Sequence, residues 1–182
     1  MATVNSYTGN MPTPDRTSLD AIVGAARDIL EVEGLAGLTM QAVAVRVGVR
    51  APSLYKRVAS RDDLVRLVAE ATLVELSRVE GDIYAVAAAV RALAHARPAA
   101  FQLVMSGGVQ AGESLVIAAS EPILRAAAEL AGPEDALVAA RTLTAWATGF
   151  ITMELNGGFN LGGDLDEAWA FGLERLVQAI RA

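Results

Sequence analysis

The sequence predicts an all-α protein, and three observations carry that prediction. Apolar residues recur at i, i+3, i+4 and i+7 along most of the 182-residue chain, which is the spacing of one helix face. Glycine or proline interrupts each of these periodic segments. The alternating apolar and polar pattern of a β-strand is missing throughout the sequence. We therefore expect about nine helices, arranged as an N-terminal three-helix helix-turn-helix domain and a C-terminal helical bundle domain.

The first helix is predicted to begin after Thr17 or Ser18 and to end at Gly34. Either hydroxyl can accept a hydrogen bond from the first free amides, and glycine adopts the left-handed conformation that ends many helices. The apolar stripe that would face a core consists of Leu19, Ile22, Val23, Ala26, Ile29 and Leu30.

Two short helices are predicted next. Thr39 can cap a helix that ends at Gly48. Pro52 follows closely and suits the first turn of a helix, where a missing N–H costs nothing. The second short helix is therefore expected over residues 51–58.

The rest of the chain is predicted to form longer helices. Ser60 can cap a helix that runs to about Val79, and two acidic residues stand in its first turn, where the helix dipole favours them. Five further segments have a helical period, over residues 82–96, 98–105, 113–131, 134–155 and 166–181.

Composition excludes several classes of function. The chain has no cysteine, so it has no disulfide, thiolate metal site or cysteine nucleophile. Its one histidine, His95, cannot form a multi-histidine metal site. No glycine-rich phosphate loop follows a strand, and no nucleophile elbow is recognisable. We expect neither an enzyme nor a resident cofactor.

The chain is apolar, but its pattern does not predict a membrane span. Mean hydropathy is +0.38 and 53% of residues are hydrophobic. The longest uncharged run covers residues 98–112 and contains two glutamines, whereas a spanning helix needs roughly 18 or more apolar residues. The first fifteen residues lack both lysine or arginine and an apolar segment, so no secretory signal is predicted and we expect a cytoplasmic protein.

Charge is distributed unevenly along the chain. The net charge is −6, yet residues 1–66 hold 8 basic and 7 acidic residues, so the acidic excess lies in the remainder. Five basic residues and no acidic residue occur from Arg46 to Arg61. Such a cluster is often only a solvated face. Here it coincides with the two short helices, which have the length and the joint of a DNA-binding helix-turn-helix.

This segment resembles the N-terminal domain of TetR-family transcriptional regulators. The shared pattern reads Leu38-Thr39, then residues 47–49 as Val-Gly-Val, residues 51–55 as Ala-Pro-Ser-Leu-Tyr, and residues 60–64 as Ser-Arg-Asp-Asp-Leu. It covers about 50 residues. Where many members continue with aromatic or histidine residues, this chain has Lys56-Arg57-Val58, which is expected to alter sequence preference.

The resemblance implies which residues contact DNA, in a domain spanning residues 17–64. Residues nearest the base edges would be Arg50, Ala51, Pro52, Ser53 and Arg57. Phosphates would be contacted by Thr39, Tyr55, Lys56 and Arg61. Alternatively, Thr39 serves only as a helix cap, and part of Tyr55 only as a packing group.

A weaker resemblance covers the C-terminal half. Some relatives carry a late helix with a His-Gly-Phe start, whereas residues 148–150 read Thr-Gly-Phe here, so Thr148 stands in place of the histidine. The family pattern implies that residues 65–182 form a ligand-binding and dimerisation domain. Residues 1–16 are rich in threonine, asparagine, proline and glycine without periodicity, so a mobile arm is expected there. A small, mostly apolar ligand would meet His95, Phe101, Gln102, Met105, Thr142, Trp146 and Phe150. Aromatic residues and methionine at such positions are more often simply core, and a lone histidine such as His95 is more often a packed or surface residue than a ligand contact.

The last two helices are expected to form a homodimer interface. Both are apolar on more than one face, and a helix apolar nearly all round must be buried on two sides. The residues expected there are Leu143, Phe150, Met153, Trp169, Leu173, Leu176 and Ile180. The expected function is a ligand-responsive repressor that binds a palindromic DNA operator as a homodimer. The alternative is a helical protein-binding or membrane-surface module without specific DNA binding.

Overall fold

The structure is a computed structural model that describes residues 18–181, and this part of the chain folds into nine α-helices without strands. The all-α prediction is confirmed. The prediction of a mobile arm falls on residues 1–16, which lie outside the described residues. The helices are α1 (Leu19–Gly37), α2 (Met40–Val47), α3 (Ala51–Leu54), α4 (Arg61–Ser77), α5 (Ile83–Ala96), α6 (Pro98–Met105), α7 (Glu113–Ala131), α8 (Ala136–Leu155) and α9 (Leu165–Arg181).

Side-chain caps begin several helices, as the sequence indicates. The Ser18 hydroxyl accepts a hydrogen bond from the amide of Ala21 at 3.2 Å, and the Ser60 hydroxyl accepts one from Asp63 at 3.0 Å. Gly34 has the positive φ expected of it, 67°, but the chain resumes a helical turn after this kink and α1 extends to Gly37. The first helix is therefore longer than predicted.

The third helix is shorter than predicted. We expected a helix over residues 51–58, whereas regular α-helix ends at Leu54. The amides of Arg57 and Val58 both donate to the carbonyl of Leu54, at 2.8 and 2.9 Å. This sharing tightens residues 55–57 into a turn, which lets Val58 enter the core with no exposed surface.

Two apolar clusters stand at either end of α4. The first cluster joins α1–α3 to the start of α4 through residues such as Ile22, Val43, Leu54 and Leu64. The second cluster joins α5–α9 around Phe101, Leu143 and Trp169. The 17 residues of α4 are continuous between them. A domain boundary at residue 64 would thus lie inside α4.

Polar contacts fix α1 to the helices behind it. Arg27 of α1 donates to both carboxylate oxygens of Glu75 on α4, at 2.5 and 2.9 Å. Glu31 accepts hydrogen bonds from the amides of Ala99 and Ala100 at 2.9 and 3.0 Å. Those amides open α6, so the Glu31 carboxylate caps the positive end of that helix. The first helix is held by both α4 and α6.

No helix among residues 18–181 is long and apolar enough to cross a membrane.

Candidate functional site

The sharp turn between α2 and α3 depends on Gly48. Its backbone is left-handed, with φ 75° and ψ 37°, and its amide donates to the carbonyl of Val45 at 3.1 Å. The next amide, of Val49, donates to the carbonyl of Ala44 at 2.9 Å. These bonds satisfy the last carbonyls of α2 and direct the chain into α3. The two helices of the predicted motif are therefore present and joined as expected.

The outward face of α3 and its following turn carries the predicted DNA-contact residues. Leu54 points inward with no exposed surface, which fixes the opposite face outward. Tyr55 is 56% exposed, so most of its ring lies outside the core. Ala51 and Ser53 are half-buried, and the exposed residues are Arg50, Pro52, Tyr55, Lys56 and Arg57.

Two of the predicted phosphate contacts also have partners inside the protein. The Thr39 hydroxyl caps α2 by accepting from the amide of Ala42 at 3.1 Å. Arg61 donates from Nε to the carbonyl of Leu38 at 2.8 Å, and from a terminal nitrogen to that of Leu35 at 2.5 Å. Arg61 therefore ties the start of α4 to the segment between α1 and α2. Its part in binding phosphate stays a prediction.

An apolar cavity of about 260 Å³ lies among α4–α9. Each of these six helices contributes side chains to its wall. The wall consists of Leu73, Leu76, Val79, Ile83, Val86, Ala87, Val90, Val104, Met105, Val116, Ala119, Ser120, Pro122, Ile123, Leu143, Thr144, Trp146, Ala147, Thr148 and Leu173. The cavity is near the lower end of the size range of small-molecule sites.

Only two of the seven predicted ligand residues, Met105 and Trp146, line this cavity. Helix phase explains the others. On α6 the cavity side is formed by Val104 and Met105, which leaves Phe101 in the core and Gln102 in solvent. On α8 the hydroxyl of Thr142 is exposed and donates to the carbonyl of Val138. The remaining two, His95 and Phe150, also lie outside the cavity wall.

The sequence reasoning missed the contributions of α4 and α5 to the cavity. Leu73, Leu76 and Ile83 line the cavity but were not among the predicted ligand residues. The available signal was that the α4 stripe continues well beyond the helix-turn-helix segment. A stripe of that length must pack against a second set of helices, which here are the walls of the cavity.

An ion cluster lies beside the cavity. Arg91 of α5 donates to both carboxylate oxygens of Glu154, at 3.0 and 2.5 Å, and approaches Asp166 at 2.8 Å. His95 Nε2 lies 3.1 Å from Glu154. Hydrogen bonding from Arg91 holds the pKa of Glu154 below its usual value, against the opposing effect of burial. The same bond raises the pKa of Arg91, so the pair is ionised.

An aromatic group separates that ion pair from the cavity. Trp146 lines the cavity and packs on Trp169, with ring centroids 4.8 Å apart. Phe150 contacts Trp146, Trp169 and Phe159. The Arg91 guanidinium lies over Trp169, 5.1 Å from the ring centroid. The polar cluster thus packs behind the aromatic wall.

The predicted dimer residues fall into three environments. Leu143, Trp169 and Leu173 are at most 7% exposed and belong to the protomer's own core, so they cannot present their side chains to a partner without repacking. This corrects their assignment to an interface. Half-buried positions are Phe150, Leu176 and Ile180, and Met153 is 47% exposed.

Other exposed apolar residues on α8, α9 and their connection were missed. Phe171 is 63% exposed, Val138 is also 63% exposed, and Leu161 is almost fully exposed. Small residues accompany them on the outer face of α8, where Ala145 and Gly149 are exposed. The α8–α9 surface is thus apolar; Met153 was expected there, whereas Phe171, Val138 and Leu161 were not among the expected interface residues.

Comparison with known proteins assigns both halves of the chain. Residues 22–68 match the bacterial regulatory proteins of the tetR family, and residues 83–176 match the tetracyclin repressor-like C-terminal domain. An uncharacterized HTH-type transcriptional regulator of Mycobacterium tuberculosis is 27% identical over 159 residues, covering 79% of this chain and 73% of that protein.

Solved structures show the same fold. A TetR from Streptomyces coelicolor superposes with a TM-score of 0.74 at 18% identity, over 90% of this chain and 97% of that one. BioQ from Mycobacterium smegmatis gives 0.65 at 26% identity, over 88% and 95%. A TetR variant from Acinetobacter baumannii, in complex with minocycline, gives 0.68 at 22% identity, over 91% and 98%. The chain belongs to the TetR family of DNA-binding transcriptional regulators.

Proposed function

We propose that this protein is a ligand-responsive repressor that binds a palindromic operator as a homodimer and is released by a small, mostly apolar ligand. The observation that carries the proposal is the outward face of α3 and its turn. It presents Arg50, Lys56 and Arg57 beside Tyr55, in a stretch of sequence without an acidic residue. Cations and hydroxyls at the start of a recognition helix suit phosphates and base edges in a major groove.

We propose the following contacts within a DNA-binding domain of residues 17–64. Arg50, Ala51, Pro52, Ser53 and Arg57 lie nearest the base edges. Thr39, Tyr55, Lys56 and Arg61 contact phosphates. Most of these residues are exposed, which supports the assignment. Thr39 and Arg61 are also exposed, and their side chains make hydrogen bonds inside the domain as well.

The α8–α9 surface supports homodimerisation through residues 65–182. Phe171 of α9 and Met153 of α8 expose apolar side chains, and the small exposed residues of α8, Ala145 and Gly149, would let a second copy approach closely. A two-fold axis through this surface would place two α3 helices on one side of the assembly. Their spacing would match two half-sites one helical turn apart, or a multiple of it.

The cavity and α6 support a ligand response. The C-terminal end of α6 supplies Val104 and Met105 to the cavity wall, while its N-terminal end is capped by Glu31 of α1. A ligand that displaces α6 therefore acts on a helix of the DNA-binding domain. The related A. baumannii protein in complex with minocycline supports small-molecule binding within this fold. In this mechanism the ligand shifts the population toward a dimer whose recognition helices no longer fit successive grooves.

Selection of random duplexes by the purified protein, at two salt concentrations, tests the proposal. We expect an inverted repeat to be enriched at both concentrations, with the distance between its halves giving the spacing of the α3 helices. Retention that disappears at the higher salt concentration, without any enriched sequence, would overturn specific operator binding, because nonspecific phosphate contact is strongly salt-dependent.

A further inference from the structure

We infer that the cavity binds an uncharged, compact hydrocarbon-like molecule of about ten carbon atoms with at most one polar group, and that it rejects carboxylates and ammonium ions of the same shape. This inference rests on the proposed ligand response and adds the chemical class of the ligand. It follows from the lining, from the position of the nearest charges and from the volume.

The cavity wall offers no charge to a ligand. Every described residue of the wall is uncharged, and the side-chain hydroxyls come from Ser120, Thr144 and Thr148. The Ser120 hydroxyl already donates to the carbonyl of Val116 at 2.9 Å. The Thr148 hydroxyl faces the sulfur of Met105 at 3.9 Å, which is a weak interaction. Thr144 is exposed to solvent, whereas Thr148 is half-buried, so Thr148 is the group in the wall that we expect to offer a ligand one hydrogen bond.

The charges of the ion cluster beside the cavity are committed to each other. Glu154 is bound by Arg91 and His95, and Arg91 is bound by Glu154 and Asp166. The Trp146 ring stands between this cluster and the cavity. A ligand carboxylate would have to break the Arg91–Glu154 pair to reach the guanidinium, and a ligand cation would face the same requirement at Glu154.

Desolvation then decides which ligands bind. An ionised group that enters an apolar site loses its hydration, and it pays a large free-energy penalty when no counter-ion replaces the water. A hydroxyl or carbonyl loses much less, and Thr148 can recover part of that loss. The free-energy difference favours the neutral member of any pair of ligands that share a skeleton.

The volume limits the size of the ligand. An apolar protein cavity of about 150 Å³ binds benzene. The cavity here measures about 260 Å³, which scales to a compact skeleton of roughly ten carbon atoms. Cage-shaped and bicyclic molecules with about this number of carbon atoms match that volume.

Four probes with one skeleton test the inference on the full-length protein at pH 7. They are 1-adamantanol, adamantane-1-carboxamide, 1-adamantylammonium and adamantane-1-carboxylate, none of which absorbs in the tryptophan region. Trp146 lines the cavity, and Trp169 packs against it, so tryptophan emission reports binding directly. We expect the alcohol to bind, and the two ions to bind at least about 100-fold more weakly.

Two matched variants locate the binding. Ala119 lines the cavity, whereas its neighbour Ala118 does not. We expect Ala119→Leu to weaken binding of 1-adamantanol at least about ten-fold by filling space, and Ala118→Leu to leave it unchanged. Circular dichroism melting checks that both variants fold. Equal loss in both variants would place the probe elsewhere and overturn the inference.

The proposed ligand class and the proposed ligand-responsive repression can be contradicted independently of each other. If the carboxylate or the ammonium ion binds as tightly as the alcohol, or if the alcohol does not bind to the wild-type protein, the ligand class is overturned. Release of the selected operator is measured in parallel by fluorescence anisotropy. Binding of 1-adamantanol without operator release would support the ligand class while contradicting ligand-responsive repression.

Discussion

Lys56 and Arg61 illustrate how two exposed cations near one surface differ in what surrounds them. Lys56 lies on the turn after α3, beside the exposed ring of Tyr55. Arg61 directs two nitrogens to backbone carbonyls of the segment that joins α1 to α2. Replacing Lys56 is therefore expected to change DNA affinity alone, whereas replacing Arg61 is expected to lower the stability of the fold as well.

We expect Lys56→Ala to weaken operator binding without destabilising the protein. Each phosphate contact contributes about 0.9 to the slope of log K against log salt, so a dimer that loses two copies loses about 1.8. The measurement is a fluorescence-anisotropy titration at several salt concentrations. Arg125→Ala, at an exposed position on α7, is the matched control. An unchanged salt slope in the Lys56 variant would contradict phosphate contact.

Arg61→Ala is expected to lower the free energy of unfolding by about 1 kcal/mol, since the carbonyls of Leu35 and Leu38 lose a charged donor. Urea unfolding followed by circular dichroism measures this loss. Arg61→Lys keeps the charge but cannot reach both carbonyls with a planar fork. If Arg61 acts only on phosphate, the alanine variant will be as stable as the wild type.

At this scale the sequence predicted which residues of α3 and its turn face outward better than it predicted which residues line the cavity. The motif has a fixed spacing around Gly48, so the inward position of Leu54 determines the outward position of Lys56. The cavity residues depend on how six helices turn toward one another. Phe101 and Gln102 were plausible by type, but their helix directs Met105 to the cavity instead, and no local pattern specifies that rotation.

Among the helices, the α2–α3 pair depends most visibly on one backbone conformation. Gly48 has φ 75°, a region that side chains disfavour by about 1–2 kcal/mol. Gly24 lies inside α1, and a Cβ there meets no atom within 4 Å. Replacing Gly48 by alanine is therefore expected to lower the stability of the fold, whereas replacing Gly24 by alanine is expected to raise it.

We expect Gly48→Ala to lower the unfolding free energy by about 1–2 kcal/mol and to weaken operator binding, because α3 loses its angle to α2. Gly24→Ala is expected to raise stability by about 0.5–1 kcal/mol, since alanine favours a helix interior. Thermal unfolding and an operator titration measure both effects. Equal stability of the two variants would show that the turn relaxes at no cost.

Helix boundaries show why α3 was predicted too long. Pro52 correctly marks its first turn, and Val58 is apolar at a helical spacing from Leu54. Regular helix nevertheless ends at Leu54, because its carbonyl accepts from both Arg57 and Val58. Hydrogen-bond sharing of this kind depends on the packing of Val58 under α1 and α4, which the apolar period alone does not distinguish from a continuing helix.

For the whole molecule, the largest change from the sequence expectation concerns the surface between copies. Leu143, Trp169 and Leu173 are used inside the protomer, whereas Phe171 is 63% exposed. All four residues are large and apolar, as interface residues often are, but the first three are buried in the protomer and only Phe171 is exposed. Assembly should therefore depend on the exposed residues.

We expect Phe171→Asp to shift the protein from dimer to monomer, because the interface would have to bury a carboxylate, which loses far more hydration free energy than an aromatic ring. Sedimentation velocity over a range of concentrations measures the shift. Ile117→Asp on α7 is the matched control, since Ile117 has a similar exposure of 60%. Dimers that persist in the Phe171 variant, or dissociate equally in both, would place the interface elsewhere.

The free energy of unfolding should decrease at acid pH, partly because the Glu154 carboxylate becomes protonated. Its pKa is below the usual value of 4.5 because Arg91 donates to it. A carboxylate whose pKa is lowered by folding stabilises the protein above the unfolded pKa, and this stabilisation is lost as pH falls through the folded pKa. Below about pH 4.5, protonation of Glu154 therefore favours unfolding.

Glu154→Gln should reduce the loss of stability between pH 7 and acid pH. It should also lower the free energy of unfolding at pH 7 by about 2 kcal/mol, since Arg91 keeps Asp166 but loses its buried partner. Urea unfolding between about pH 3 and pH 7 tests both effects. Glu80→Gln, at an exposed carboxylate, is the control. If the unfolding free energy of the Glu154 variant falls as steeply with decreasing pH as that of the wild type, the effect belongs to other carboxylates.

The uninterrupted course of α4 limits how regulators of this kind can be recombined. The helix starts in the core around Leu64 and ends with Leu73 and Leu76 on the cavity wall, about 25 Å along one axis for its 17 residues. One inserted residue would rotate its far end by about 100° and advance it by about 1.5 Å. A chimera that grafts a foreign sensor onto this DNA-binding half must therefore preserve the residue count of α4, and it must supply an α6 whose first amides meet Glu31.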